Sequence, residues 1–177
     1  VGDLDSLAWK RAAELGPFDV INLDLCDGFG AGPPSLSEDT HFNALMQLLA
    51  LQARTKNDWL LLLTTRAGAN HVHADVLERL LKKYLRNLQD CPSFASSSKE
   101  TLNIEDESSL RAGLSSSAGV MEVFVISLCK WLLNLAVRQN PPTVAKVLNV
   151  SGYQVNLAAG HPDLISIAVR FQPTFGI

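Results

Sequence analysis

The residues best placed to do chemistry follow an apolar run. Phe18 to Cys26 (FDVINLDLC) contains Asp24, and Asp27 comes directly after it. The length of the run and its β-branched Val20 and Ile21 predict a buried, central parallel strand. Open α/β sheets bind ligands beyond the carboxyl ends of such strands. A carboxylate there can orient an exocyclic amine or accept a hydrogen bond from it, so Asp24 and Asp27 are the catalytic candidates. The competing role for an acid at that place is to stabilise a loop or cap a helix.

Other motifs carry weaker chemistry. Gly28-Phe29-Gly30-Ala31-Gly32 is a glycine-rich turn after a strand, the type that can cradle a phosphate or cofactor. Pro33-Pro34 stands where that motif needs a helix N-terminus, and the next strand ends Thr64-Thr65-Arg66 without an acid. His71-Val72-His73 places two imidazoles at i, i+2, which do not share a helix face. No acid or cysteine stands at metal-ligand spacing from them, so no metal is expected and the pair reads as the start of a helix. His41 and His161 stand alone as surface or loop residues. Cys26, Cys91 and Cys129 lie far apart without a CxxC pair, which argues against a disulfide framework or a zinc ribbon. The serine tracts contain no Gly-x-Ser-x-Gly elbow. Lys82, Lys83 and Arg86 read as a solvated helix face.

The elements that must position these residues alternate. Residues 5–15 suit a short helix stopped by Gly16-Pro17, and the strand ending at Asp24 follows. After the Gly/Pro-rich loop at 27–38, a helix is expected at about 39–55, then a second buried strand from Asp58 to Thr65. A helix over about 72–89 carries Val76, Leu77, Leu80, Leu81, Tyr84, Leu85 and Leu88 as one stripe. Residues 91–117 are rich in serine and acids and read as a long, partly mobile excursion that could touch a partner. Val120 to Val137 is strongly apolar, yet Glu122, Lys130 and Asn134 interrupt it. The expectation is a buried helix, not a membrane span. Tyr153 to Ala159 and Leu164 to Phe171 then suit a terminal antiparallel hairpin around Gly160-His161-Pro162-Asp163. The whole chain, 1–177, reads as one α/β domain: Rossmann-like, a mostly parallel sheet with helices on both faces and a C-terminal antiparallel hairpin.

Composition bounds the partners. The chain has 177 residues, 47% hydrophobic and 19% charged, with formal net charge −3. That is an ordinary globular profile with a sizeable core, unlike a disordered chain. The mild acidity leaves no global electrostatic footprint for nucleic acid. No secretory signal is visible, and a cytoplasmic or otherwise intracellular place is expected.

Gly2-Asp3-Leu4 followed by Phe18-Asp19-Val20-Ile21-Asn22-Leu23-Asp24, in this element order with a reversed last strand, resembles the second half of a class I S-adenosylmethionine-dependent methyltransferase. Asp24 through Pro34 and then Trp59 to Thr65 look closest to the guanine-dimethylating tRNA methyltransferases and the three-Cys-motif partner proteins. The likeness covers residues 1 to 68. It implies that Asp3 and Leu4, in the acidic turn, bind the cofactor's adenine, and that Asp24 and Asp27 border the active site. The family usually has Asp-Pro after the strand, where this sequence has Asp24-Leu25. The family's glycine-rich cofactor loop is not found in the matching place, so an incomplete methyltransferase fold is expected, its cofactor loop lying upstream of Val1.

Two functions follow as expectations. One is a methyltransferase or methyltransferase-like subunit using S-adenosylmethionine on a nucleobase amine, with nucleic acid as its substrate. The other is a catalytically inactive interaction module of the same fold that meets a protein partner through residues 91–117.

Overall fold

Local sequence sets most of the elements. The computed structural model describes residues 14–25, 28–31, 41–155, 158, 160 and 162–174. Its strands are β1 (Val20–Leu25), β2 (Trp59–Arg66), β3 (Thr143–Tyr153) and β4 (Leu164–Pro173). Its helices are α1 (His41–Gln52), α2 (Ala74–Asp90), α3 (Pro92–Leu102), α4 (Glu107–Gly113) and α5 (Ser117–Val137). A short 3-10 turn, Ala69–His71, joins β2 to α2.

The sheet runs β1-β2-β4-β3. β1 and β2 are parallel, with Val20 opposite Leu60 and Asp24 opposite Thr64. β4 is antiparallel to both of its neighbours, β2 and β3. The sheet is therefore mixed, which corrects the expectation of a mostly parallel one: the C-terminal hairpin does not stay at the edge but inserts β4 beside β2. The first hairpin strand also begins earlier than the sequence implied, at Thr143 and not Tyr153. A β-bulge between Val147 and Asn149 breaks its period of two and hides the strand from pattern reading.

One face of the sheet makes the core. Ile21, Leu25, Leu61, Leu63, Ile165, Ile167, Val169 and Phe171 are all buried there. Trp59 lies opposite Phe171 across β2 and β4, and the rings stack with centroids 4.1 Å apart. Such pairs are worth about 0.5–1.5 kcal/mol beyond their buried area. α1 adds Leu45, Leu48 and Leu49 to this core, and α5 adds Val120, Phe124, Leu128, Leu132 and Ala136. The same α5 turns Val123 towards a second cluster with Leu81 and Tyr84 of α2, Ile104 and Leu110. α5 is long and apolar enough to cross a membrane by length and composition. Its apolarity is explained by position, since both the sheet and α2 pack against it.

Among the described residues, the helices that build this core lie on one face of the sheet, so the expectation of helices on both faces is not met there. The second face holds Asn22, Asp24, Thr64, Arg66, Ser166, Arg170, Lys146, Asn149 and Ser151, all exposed or half-buried. The same face also carries Val20, Leu60, Leu62, Leu164 and Ala168, so polar and apolar side chains share it.

Residues 92–102 and 107–113 form α3 and α4, within the segment whose sequence reads as a long, partly mobile excursion. Caps outweigh the poor helix propensity of the serines. Pro92 opens α3, and Asn103 closes it in the left-handed region (φ 54°) with its N–H on Lys99 O. Asp106 and Ser109 form a reciprocal capping box at α4. Serine also finds buried work: Ser98 Oγ lies 2.7 Å from the Tyr84 hydroxyl and donates to Ile104 O at 2.9 Å.

Candidate functional site

The sheet register places Asp24 in a row of polar residues. Asp24, Thr64, Ser166 and Ser151 are successive lateral partners across β1, β2, β4 and β3, so all four share the face opposite the core. Thr64 Oγ1 donates to Ser166 Oγ at 3.3 Å. Asp24 and Ser151 are exposed at the two ends of the row, and Thr64 and Ser166 are half-buried between them. The row lies at the carboxyl end of the parallel pair, where a ligand-binding crevice is expected. Its chemistry is hydrogen bonding: one carboxylate acceptor followed by hydroxyls that both donate and accept.

The next row outward on that face is Arg66, Leu164 and Tyr153. Arg66 Nη1 donates to Asp163 Oδ2 at 3.0 Å, and Asp163 is 5% exposed. Asp163 Oδ1 accepts the Val155 N–H at 2.6 Å. The Asp163 main chain donates to Tyr153 O and accepts from Ala67. One buried carboxylate therefore fixes the end of β2, the end of β3 and the start of β4 around the site. Sequence reading placed Asp163 in a turn and gave it no further role, because this convergence exists only once β4 lies between β2 and β3.

The loop after β1 is fastened to the end of β2 and to the segment that follows it. The Phe29 N–H donates to Thr65 Oγ1 at 2.6 Å, and Gly30 O accepts from His73 N–H at 2.7 Å. Gly28 has φ +88°, and a Cβ there would stand 3.2 Å from His71 O and 3.3 Å from Arg66 O. A Cβ on Gly30 would meet the Phe124 ring at 2.9 Å. These glycines thus serve close backbone packing. The amides of Gly28, Phe29 and Ala31 donate to Leu25 O, Thr65 Oγ1 and Gly28 O. Phe29 itself packs in an aromatic group with Phe42 of α1 and Trp131 of α5, the latter two stacked at 4.2 Å.

The remaining candidates divide. Asp27, Asp3 and Leu4 lie outside the described residues. His73 caps α2, its Nδ1 accepting the Asp75 N–H at 3.2 Å, as the sequence reading of a helix start implied. Among the described residues no group of three or more His, Cys, Asp or Glu side chains could hold a metal ion. Away from the row, a cleft of about 240 Å³ opens on the helical side between α2 and α4, lined by Ala74, Leu77, Glu78, Leu81, Arg111 and Leu114.

Fold and site define an α/β domain with a mixed four-stranded sheet and, among the described residues, a polar row at its strand ends. The chain belongs to the PP_RS20740-like family, whose model matches residues 1–175. No curated protein and no solved structure matches it.

Proposed function

We propose that this domain is the second half of a class I methyltransferase-like, Rossmann-like fold and acts as an S-adenosylmethionine-dependent methyltransferase or a subunit of one. The observation that carries the reading is the strand arrangement: a parallel pair, β1 and β2, followed by a reversed final strand, β4, lying against β2. That is the reversed last strand which the resemblance of residues 1 to 68 calls for. The sheet face opposite the core and the outer side of β1 then accept the strands and helices of the first half, with its glycine-rich cofactor loop. Asp3 and Leu4 contribute to the adenine site, and Asp24 with Asp27 holds the acceptor.

The acceptor proposed is a nucleobase amine in a nucleic acid, and the place of action is intracellular. The Asp24 carboxylate accepts a hydrogen bond from the amine and directs its lone pair, while Thr64 and Ser166 extend the hydrogen-bonding row. The protein supplies proximity and orientation, and the cofactor supplies the activated methyl group.

The test is calorimetric titration of S-adenosylmethionine into the complete gene product and its Asp24→Ala variant, with methyl transfer measured in parallel. Saturable binding to both is expected, with transfer reduced about 100-fold or more in the variant, the scale of a lost positioned acid–base group. Absence of binding to either protein overturns the enzyme reading. Undiminished transfer by the variant removes Asp24 from the site.

A second reading is an inactive interaction module. The observation favouring it is that a cleft lies beside α4, within the 91–117 segment, on the helical side of the sheet. A native mass measurement showing obligate association with a protein and no bound cofactor supports this reading over the first.

A further inference from the structure

We draw no further inference here: the strongest candidate, the Cys91 thiol at the start of α3 within 3.3 Å of Ser93 Oγ, is a lone cysteine at a helix N-terminus with no second feature beside it that points to a ligand.

Discussion

The side-chain amide of Gln52 grips both polar groups of the Phe18 main chain: the Phe18 N–H donates to Gln52 Oε1 at 2.7 Å, and Gln52 Nε2 donates to Phe18 O at 2.6 Å. The carboxamide stands in for a neighbouring strand just before β1 begins. Gln52 is fully buried at the end of α1, so this contact ties the helix to the entry of the strand that carries Asp24.

Replacing Gln52 by Leu keeps the volume near its present value and leaves the Phe18 N–H and C=O without that partner. An orphaned buried polar group costs about 1–3 kcal/mol. Urea denaturation of Gln52→Leu should therefore show a lower midpoint, with an unfolding free energy reduced by about 1–3 kcal/mol. An unchanged midpoint would mean that water replaces the amide at no cost.

Thr65 makes the corresponding tie at the other end of β1. Thr65→Val removes the acceptor for the Phe29 N–H, whereas Thr65→Ser keeps it. Hydrogen exchange at the Phe29 amide is expected to speed up in the valine variant and to stay slow in the serine variant. The net stability loss for valine should be about 0.5–1.5 kcal/mol for one hydrogen bond, and larger if the amide stays dry. Equal exchange in the two variants would show that the loop is held by Gly28 and Gly30 packing alone.

The parts legible in the sequence are those whose burial is set by one neighbouring layer. The runs at Val20–Leu25 and Trp59–Arg66 and the stripe of α2 announce themselves by apolar spacing. β4 alternates cleanly because its outer face, with Ser166 and Arg170, stays accessible. The start of β3 is not legible because β3 is an edge strand whose Lys146, Asn149 and Ser151 dilute its apolar residues and whose bulge shifts the alternation. The serine-rich α3 and α4 are not legible as helices because caps and the Tyr84–Ser98 contact, not apolar period, hold them. Asp24 was visible as a strand-end acid, but its row with Thr64, Ser166 and Ser151 depends on β4 pairing with β2, a long-range choice that local spacing does not encode.

The two sheet edges differ in a way that bears on the proposed completion of the fold. β3 carries Lys146 and a bulge, the usual means of blunting an edge. β1 carries neither. Its ladder parity follows from the Leu60 N–H donating to Asp19 O and from Val20 standing opposite Leu60. Odd-numbered residues therefore bond to β2, and the main-chain groups of Asn22 and Asp24 point outward. In the 177-residue chain, Asn22→Pro should be tolerated because it deletes only an outward N–H, while Leu23→Pro removes a ladder donor and should cost about 1–3 kcal/mol or more. If the first half of the proposed fold adds a strand at β1, the complete gene product should instead be destabilised by both variants. Tolerance of Asn22→Pro in that complete product counts against strand addition.

Cys129 gives a pH prediction. It packs in the core on α5, and burial raises its thiol to about 11 from the ordinary 9.0. The thiolate is the form that the core disfavours, so the folded state binds this proton more tightly than the unfolded state does. The sign follows: the contribution to stability is fully present below the unfolded value and is lost as pH rises through the folded one. Between pH 9 and 11 the urea midpoint of the parent should fall more steeply than that of Cys129→Ala, which has no proton to lose. The variant itself should start somewhat less stable, because a small buried hydrophobe has been shortened. At pH 8 the native Cys129 thiol should resist a disulfide reagent and become reactive only on unfolding, while the half-buried Cys91 reacts in the native state. Parallel slopes for parent and variant between pH 9 and 11 would show that Cys129 meets water more readily than its packing implies.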